Sequence, residues 1–355
     1  MPDQSSKYHL EKSARFSLAH LPTPLEPLKT TIPGFSGRIF IKRDDCTGFA
    51  MGGNKGRKLE FTVGDAIAKG ATALVTASGV QSNHVRQTAA AASRAGLKFH
   101  AIVTPYSAHY PRDHVDSGNV LLDMLFDAQF HLAPTEDVIE GVTEEVMTTL
   151  RKAGEKPYLI PLGASDGIGS LGYVNCAYEL LGQCRHMGLD PSAIFLPTGS
   201  GGTQGGLLAG ARLAGWPVPV IGISVSEPAD VTRKRVRTSI DGVADVLQTK
   251  VPVRDEEIVV HDDYVGGGYG QPTKGANSWV VKLARTDGLL LDQVYTGKAF
   301  DGMADILGRD EGRKPRDVIF LHTGGTPALF AEPRLLAKIE VDAPALEPLY
   351  RAVED

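Results

Sequence analysis

The sequence lacks the features that mark membrane, secreted and nucleic-acid-binding proteins. No window approaches about 18 uninterrupted apolar residues, the length that a membrane-spanning helix needs. The first residues, MPDQSSKYHLEKSARF, contain no apolar core of a signal peptide. Lys and Arg total 37 against 42 Asp and Glu, which gives a formal net charge of −5, and no basic run is present to neutralise a phosphate backbone. We therefore expect a cytoplasmic protein with neither a membrane nor nucleic acid among its partners.

Cysteine is also scarce, with Cys46, Cys176 and Cys184 as the three in the chain. An odd number without paired metal-ligand spacing argues against a disulfide framework and against a zinc cluster. The 10 histidines are scattered and form no H-E-x-x-H motif. The sequence therefore predicts no metal site.

The chain is longer than a single hydrophobic core usually supports. Its 355 residues, 42% of them hydrophobic, and its 40 glycines are typical of an ordinary globular α/β protein. We expect either one large core or two intertwined domains with a cleft between them.

Short apolar runs alternate with longer helical patterns along the chain. Runs that are apolar on both faces, as buried parallel strands require, are GRIFIKR near 37, ATALVTA at 71, FHAIVT at 99, AIFLPT at 193, PVIGISV at 219 and DVIFLHT at 317. Amphipathic helices are predicted for 82–95, 136–153 and 203–214. The alternation predicts doubly wound, mostly parallel sheets. The Gly- and Ser-rich segment 161–172 is predicted to cross between lobes.

The first segment that carries chemistry is IKRDDCTGFAMGGNKGRKLEF, residues 41–61, where a strand leads into a glycine turn and a helix capped by Asn54. Lys55, Arg57 and Lys58 fall in the first turn of that helix. Cations are unfavourable there, because the free N–H groups of a helix N-terminus already carry partial positive charge. The pattern therefore favours a bound anion at this turn.

The same turn suits a lysine nucleophile. Gly52 and Gly53 allow the backbone to approach a ligand closely. The positive field lowers the cost of a neutral lysine amine, which formation of a Schiff base requires. A solvated basic helix start, with Asp44 and Asp45 as counter-ions, is the alternative, and spacing alone does not separate the two.

The second segment, LPTGSGGTQGGLLAGARLAG at residues 196–215, predicts a phosphate site. A glycine-rich loop between a strand and a helix lets several N–H groups point at a phosphate, and the hydroxyls of Ser200 and Thr203 complete the shell. The loop lacks the Gly-Lys-Ser/Thr of a Walker motif, and Gln204 stands where a dinucleotide fingerprint has its third glycine. A nucleotide site is the alternative, because Glu227 follows at roughly the distance of a ribose-binding acid.

The third segment, SGVQSNHVRQTAAAA at residues 78–91, again places a turn before a helix. Gln81, Ser82, Asn83 and His84 lie at or near the cap, where polar side chains and free N–H groups suit a carboxylate. The Ser-Asn pair can equally be a simple helix cap. Three anion-receptive helix starts in one chain nevertheless suit a cofactor phosphate together with the carboxylate of an amino-acid substrate.

These segments and three later ones occur together in one known family. MGGNKGRKLEF, GVQSNHVRQTAA, GSGGTQGG, GYGQP, VYTGKAFDGM and HTGGTPALFA, in this order, resemble the D-cysteine desulfhydrase and 1-aminocyclopropane-1-carboxylate deaminase family of tryptophan-synthase β-like enzymes. The resemblance extends from about Leu21 to Glu332. It implies pyridoxal 5′-phosphate in a cleft between two α/β domains, a large one of residues 1–52 with 166–355 and a small one of 53–165. A homodimer is the precedent for this fold.

The resemblance also implies roles for individual residues. Lys55 would hold the cofactor as a Schiff base, and Asn83 would hydrogen-bond the 3′-oxygen of its ring. The phosphate would lie against Lys58, Gly199, Ser200, Gly201, Gly202 and Thr203. The substrate would be bound by Gln81, Ser82, Asn83 and His84 and faced by Tyr269. Tyr295 would lie against the pyridine ring and would complete a catalytic set with Lys55, Ser82 and Tyr269, although both tyrosines could equally be core aromatics.

Two positions distinguish the branches of this family. The cyclopropane deaminases have glutamate and leucine where this chain has Thr296 and Thr323. A carboxylate near the pyridine nitrogen makes the ring a stronger electron sink, which ring opening needs more than expulsion of a good β-leaving group does. The resemblance thus implies removal of sulfide from D-cysteine to give pyruvate and ammonia. Removal of sulfite from L-cysteate is the first alternative, and deamination of the cyclopropane amino acid is the second.

Two other classes of protein are compatible with these residues. A nucleotide-dependent oxidoreductase would be colourless as purified, and a non-catalytic binding protein would take up the aldehyde without converting any amino acid. The joint presence of Lys55, Ser82 and Tyr295 favours an enzyme.

Overall fold

The structure, a computed structural model, describes residues 9–105, 116–309 and 316–331. Its strands are β1 (Leu25–Pro27), β2 (Ile39–Arg43), β3 (Ala73–Gly79), β4 (Lys98–Thr104), β5 (Gln129–Leu132), β6 (Pro157–Ile160), β7 (Ala193–Thr198), β8 (Val220–Ser224), β9 (Val259–His261) and β10 (Val318–His322). Its α-helices are α1 (Lys55–Ala68), α2 (Asn83–Ala95), α3 (Gly118–Leu125), α4 (Ile139–Lys152), α5 (Gly167–Met187), α6 (Gly202–Leu213), α7 (Ala229–Leu247), α8 (Lys274–Asp287), α9 (Thr296–Gly308) and α10 (Pro327–Phe330).

The strands form two sheets. A six-stranded sheet has the order β1-β2-β10-β7-β8-β9, in which β1 is antiparallel to β2 and the other neighbours are parallel. A four-stranded sheet has the order β5-β4-β3-β6 and is parallel throughout. The predicted class, mostly parallel α/β with two doubly wound layers, is confirmed. Within the described ranges no helix is long and apolar enough to span a bilayer.

Helices cover both faces of each sheet, which explains why the strands read as continuous apolar runs. Along β7, Ile194 packs with residues of α5, α6 and α7 on one face, whereas Phe195 packs with residues of α8 and α9 on the other. In the four-stranded sheet, Leu74 packs with α1 and α2, and its neighbour Val75 packs with α4. Successive side chains of a strand point to opposite faces, so both must be apolar here.

The strands predicted from the six apolar runs are confirmed as β2, β3, β4, β7, β8 and β10. The three predicted helices are confirmed as α2, α4 and α6, with bounds that differ by up to three residues. The helix expected from 136 opens with a single 3-10 turn, Glu136–Val138, before α4 begins. Strands β5, β6 and β9 are only three or four residues long, too short to show a period in the sequence.

The glycine-rich segment 161–172 is a short linker followed by the start of a helix. The chain leaves the four-stranded sheet at the end of β6, and α5 begins after Asp166, whose side chain accepts a hydrogen bond from the N–H of Gly169 (2.8 Å). Gly172 lies inside α5, where a Cβ would come within 2.3 Å of the carbonyl oxygen of Arg57. The glycine therefore serves close packing of α5 against α1.

Four of the six predicted chemical segments follow the carboxyl ends of parallel strands. The turn 44–54 follows β2, 323–326 follows β10, 199–201 follows β7, and 80–82 follows β3. The strands β2, β10 and β7 are neighbours in the six-stranded sheet and end at one edge of it, so the segments after them are brought together although they are distant in sequence. The segment after β3 belongs to the other sheet, and the hydrogen bond from Arg86 to the carbonyl oxygen of Gly52 joins the start of α2 to the turn before α1.

Candidate active site

The turn before α1 is fixed by glycine and by a contact with the segment after β10. Gly52 and Gly53 have φ values of 74° and 122°, which favour glycine. The N–H of Asn54 donates to the carbonyl oxygen of Thr323 (2.9 Å). A Cβ on Gly324 would lie 2.6 Å from the Cα of Gly53. The GGNK and HTGG motifs are therefore in backbone contact.

Lys55 is the first residue of α1. In the described part of the chain its amine has neither a hydrogen bond nor an ion pair. Burial lowers its pKa to about 8, so a substantial fraction of the amine is neutral in mildly alkaline solution. The neutral amine is the form that attacks an aldehyde.

Arg57, in the same turn, is fully buried and paired with carboxylates. Its guanidinium donates to both oxygens of Asp44 (2.8 and 2.9 Å) and to Glu179 (2.8 and 2.9 Å). The hydroxyl of Tyr173 donates to Asp44 as well (2.6 Å). Asp45 instead binds Arg43. The alternative, in which carboxylates are the counter-ions of the basic helix start, therefore applies to Arg57, whose role is structural.

Lys58 reaches the glycine-rich loop. Its buried Nζ donates to the carbonyl oxygen of Gly163 (2.6 Å) and to the hydroxyl of Ser165 (2.7 Å). Ser165 in turn lies 2.7 Å from the hydroxyl of Ser200. A Cβ on Gly202 would come within 2.7 Å of Lys58 Nζ, so only glycine lets the cation approach the start of α6. Burial, and then the charge of Lys55, lower the pKa of Lys58 well below its usual value.

The start of α6 is open to an anion. Gly201 precedes the helix with φ of 85°, and no side chain caps the helix there. In the described residues the N–H groups of Gly202 and Thr203 donate no hydrogen bond. The Asn54 amide donates to the hydroxyl of Thr203 (3.0 Å). Free N–H groups, a helix dipole, hydroxyls and the amine of Lys58 form a donor set that fits a phosphate.

The two residues on which the nucleotide alternative depends, Gln204 and Glu227, form other contacts. The Gln204 amide donates to the carbonyl oxygens of Val220 (3.3 Å) and Val259 (2.8 Å) beneath the loop. Glu227 pairs with Arg235 (3.1 Å). The acid that would bind a ribose thus has a partner already.

At the start of α2 the side chains mostly serve the helix itself. The Ser82 hydroxyl accepts from the N–H groups of His84 and Val85 (3.2 Å each). The His84 ring is buried, with Nε2 2.9 Å from the Thr76 hydroxyl, and burial followed by the charge of Lys55 lowers its pKa well below the usual value. Its imidazole therefore does not face the cleft as a charged group.

The Gln81 amide is likewise engaged, since it donates to the carbonyl oxygen of Ser117 and accepts from the N–H of Asn119 (2.9 Å each). Asn83 is partly exposed, and its Oδ1 accepts from Arg86 (2.9 Å). The N–H groups of Ser82 and Asn83 have no acceptor within the described residues. The groups that remain for a carboxylate are these N–H groups and the Ser82 hydroxyl proton.

Tyr269 and Tyr295 meet directly. Their hydroxyl oxygens are 2.5 Å apart and their rings are nearly perpendicular, at 73°. Burial, together with Tyr269, raises the pKa of Tyr295 well above its usual value, so its hydroxyl stays protonated. Lys298 fixes the loop before Tyr269, because its Nζ donates to the carbonyl oxygens of Val265 (2.7 Å) and Gly268 (2.9 Å).

The two branch-specific threonines have different surroundings. The Thr296 hydroxyl is fully buried and donates to Asp292 (2.6 Å), whose carboxylate also accepts the N–H groups of Val294 and Tyr295. Thr323 contributes its carbonyl oxygen to the N–H of Asn54. Asp292 therefore orders the turn that presents Tyr295.

Sequence reasoning missed Ser165, Arg86, Asp292 and Lys298. Each acts through a contact with a residue in a distant segment or through a local turn without a recognisable motif. Ser165 carried the only available signal, because it lies in the Gly- and Ser-rich segment whose composition is typical of a linker. Across the described residues no group of three or more His, Cys, Asp and Glu could hold a metal ion.

Comparison with known proteins agrees with this geometry. The model of a family described as pyridoxal-phosphate dependent enzyme matches residues 16–324. A D-cysteine desulfhydrase of Klebsiella pneumoniae is 38% identical over 326 residues, which cover 92% of this chain and 98% of the relative. One from Salmonella typhi is 38% identical over 324 residues, with 91% and 98% covered.

Solved structures show the same fold. A crystal structure of an ACC deaminase homologue is 32% identical and superposes with a TM-score of 0.84, covering 95% of this chain and 99% of the other. A threonine deaminase of T.th., 17% identical, has a TM-score of 0.63 over 92% of this chain and 98% of its own. The match of a family model to most of the chain, on a fold that leaves Lys55 free beside an open anion site, leads to one conclusion: this chain belongs to the pyridoxal-phosphate dependent enzymes.

Proposed function

We propose that this enzyme carries out α,β-elimination on D-cysteine, with uptake of water and release of hydrogen sulfide, ammonia and pyruvate. The observation that carries the proposal is the free, buried amine of Lys55 beside an uncapped glycine-rich helix start. The identity of 38% with D-cysteine desulfhydrases over nearly the whole chain supports this substrate.

The residues of the cleft fit the cofactor. Lys55 would hold its aldehyde carbon. Its phosphate would be held by Lys58 and by Gly199, Ser200, Gly201, Gly202 and Thr203. When bound, pyridoxal phosphate withdraws electrons from Cα of the attached amino acid. The N–H groups of Ser82 and Asn83 would hold the substrate carboxylate.

Proton transfer is assigned to Lys55 and the tyrosine pair. With a pKa of about 8, the Lys55 amine can accept the Cα proton in mildly alkaline solution. Tyr295 remains protonated, so it serves as a donor to the departing sulfur and not as a base. The Tyr269 hydroxyl lies 2.5 Å from the Tyr295 hydroxyl and can return a proton to Tyr295 after Tyr295 has donated its own.

The branch residues support elimination over ring opening. Thr296 donates to Asp292, and its hydroxyl carries no charge that could hold a proton on a pyridine nitrogen. Thr323 is equally uncharged. L-cysteate sulfo-lyase activity is the second candidate, because it uses the same elimination with a different leaving group.

The test offers D-cysteine, L-cysteine, β-chloro-D-alanine, L-cysteate and 1-aminocyclopropane-1-carboxylate in parallel, with assays for keto acid, sulfide and sulfite. We expect D-cysteine to give sulfide and pyruvate in equal amounts with the highest kcat/KM. Sulfite from L-cysteate as the dominant product would replace the proposal with its alternative. If the cyclopropane amino acid is the one substrate that gives keto acid, the enzyme is a deaminase and not a desulfhydrase.

We further propose a cytoplasmic homodimer in which residues 1–52 with 166–355 form the large domain and 53–165 the small one. The four-stranded sheet draws all its strands from 73–160, and the six-stranded sheet draws its strands from the flanking parts. Leu125 and Phe330 are 72% and 69% exposed, on the neighbouring helices α3 and α10, and exposed apolar surface of this kind suits a subunit contact. Light scattering that gives the mass of one chain would contradict the dimer.

A further inference from the structure

Arg86 is a buried cation of α2 that binds neutral oxygens. It is 0% exposed. Its Nη1 donates to Oδ1 of Asn83 (2.9 Å) and Oδ1 of Asn119 (2.7 Å), and its Nη2 donates to the carbonyl oxygen of Gly52 (2.8 Å). Burial lowers its pKa to about 10, so the guanidinium is charged at neutral pH. Burying a charge without a bound carboxylate is costly, so the contacts that this guanidinium does make are the place to look for its role.

Asp123 is the nearby acid, but it does not bind this cation. Among the described residues neither of its carboxyl oxygens, nor Arg86 Nε, has a hydrogen bond, and no ion pair joins the two. Burial raises the pKa of Asp123 to about 8, against the effect of Arg86. The carboxyl group is therefore mostly neutral at neutral pH, and the guanidinium is left to act on Asn83, Asn119 and Gly52.

The contact determines which way the Asn83 amide faces. A guanidinium has donors and no acceptor, so the Asn83 atom beside Arg86 must be the oxygen. The Nδ2 atom, with its two N–H donors, then points away from Arg86. The i, i+3 spacing on α2 lets this contact form without distortion of the helix. Without Arg86 the amide could rotate and present oxygen in place of nitrogen.

A second contact ties the same guanidinium to the turn before Lys55. The Gly52 carbonyl belongs to that turn, and Gln87, the neighbour of Arg86, accepts the N–H of Gly56 in the first turn of α1 (2.8 Å). The starts of α1 and α2 are thus held together on the side of the cleft where Lys55 and Asn83 lie.

We infer that Arg86 is a positioning residue that fixes the Asn83 amide with its N–H donors towards the oxygen of the cofactor ring. The inference rests on the proposed function, in which Asn83 faces that oxygen. Arg86 does not touch the substrate or the cofactor. It selects the donor orientation of Asn83, and its contact with Gly52 adds stability independently.

A hydrogen bond to the ring oxygen has a spectroscopic consequence. The donor makes the ring oxygen less basic, so the nitrogen of Lys55 bonded to the cofactor loses its proton more easily. Loss of the donor should raise the midpoint of the pH titration of the visible absorption by about 0.5 to 1 unit. Cofactor binding to the apoenzyme should weaken by about 2- to 10-fold.

The experiment is a double-mutant cycle of Asn83→Ala and Arg86→Met, read by spectral titration of the holoenzyme. We expect both single variants to raise the midpoint and the double variant to raise it no further. Urea unfolding should still show a loss of stability when Arg86→Met is added to Asn83→Ala, through Gly52 and Asn119. Arg94→Met, on an exposed residue of the same helix, is the matched control and should change nothing.

A wild-type midpoint in Arg86→Met, or shifts that add in the double variant, would overturn the inference. Should Arg86→Met fail to fold, Arg86→Gln takes its place in the cycle with the same expected outcome, because a neutral amide can donate or accept and therefore no longer selects the orientation of Asn83. Failure of the proposed function is distinct. Without the cofactor on Lys55, the wild-type protein would have no visible absorption that depends on Lys55, and a wrong substrate would change the products and leave the spectral titration as it is.

Discussion

The first turn of helix α1 contains three basic residues, of which, within the described ranges, one is paired with carboxylates and two are not. Arg57 is surrounded by the carboxylates of Asp44 and Glu179, so its charge is compensated within the chain. Lys55 and Lys58, the first and fourth residues of the helix, have no carboxylate partner in the described residues, and burial lowers the pKa of both. The three residues look alike in the sequence and differ only in what the tertiary structure places against them.

This difference separates stability from function. A buried charge that has a partner in the chain contributes to the folded state and is costly to remove. A buried cation without an internal partner destabilises the free protein unless a ligand supplies the missing anion. We therefore propose Lys58, at the open start of α6, and Lys55, whose amine can become neutral, as the functional members of the group.

The largest expected effect comes from Lys55→Ala. It should lower kcat/KM for the amino-acid substrate by at least about 10³-fold and abolish the visible absorption of the purified protein, because the covalent link to the cofactor is lost. Lys69→Ala, at the exposed end of the same helix, is the control and should keep both. Unchanged absorption in Lys55→Ala would remove Lys55 from its role.

Arg57→Met should give the largest loss of stability. Among the described residues, removing the guanidinium leaves the buried Asp44 carboxylate with hydroxyl donors but no ion-pair partner, and leaves Glu179 with Lys42 as its one cation. Breaking a buried ion pair in this way typically costs about 3–5 kcal/mol. Lys58→Met should change the stability of the apoenzyme by about 1 kcal/mol or less, because it removes an uncompensated cation together with its hydrogen bonds. Urea unfolding of both variants as apoenzymes measures the two losses of stability. Equal losses would contradict the distinction between a paired Arg57 and an unpaired Lys58.

Cofactor affinity should show the opposite order. Lys58→Met should weaken binding of pyridoxal phosphate to the apoenzyme by about 10- to 100-fold, because a charged hydrogen-bond donor to the phosphate is lost. Inorganic phosphate should raise the Tm of the wild-type apoenzyme by mass action and have much less effect on Lys58→Met. A Tm independent of phosphate in the wild type would argue against an anion at this helix start.

The smallest effect is on pH dependence. Burial lowers the Lys55 pKa from 10.5 to about 8, so the neutral fraction grows about tenfold per pH unit below pH 8 and levels off above it. The rate at which the apoenzyme recombines with the cofactor should follow this curve in stopped-flow absorbance. A rate that continues to rise towards pH 10 would indicate a lysine with an ordinary pKa.

Much of the fold could be predicted from the sequence because its signals are local. The long strands are buried on both faces, so their apolar runs are visible without knowledge of the topology. Helix α5 was missed because its glycines suggested a linker. Gly172 is required by the backbone of α1, and that close approach leaves no pattern in the sequence.

The candidate site could be predicted in part, for the same reason. Lys55, Lys58 and the loop 199–203 are indicated by glycine turns and by cations at a helix N-terminus. Ser165 is not, because its contact with Ser200 joins positions that are 35 apart. Arg86 is not, because its contact with Gly52 joins positions 34 apart and its i, i+3 contact with Asn83 follows no recognisable motif.

Whether Lys55 forms the covalent bond is tested most directly by reducing the holoenzyme with borohydride and mapping the modified peptide by mass spectrometry. The hydride converts the carbon–nitrogen double bond to a stable amine, so the attachment point survives digestion. We predict a single phosphopyridoxyl group on Lys55. A phosphopyridoxyl group on Lys58, or an unmodified Lys55 in protein that was yellow before reduction, would contradict the assignment of Lys55 as the residue that holds the cofactor.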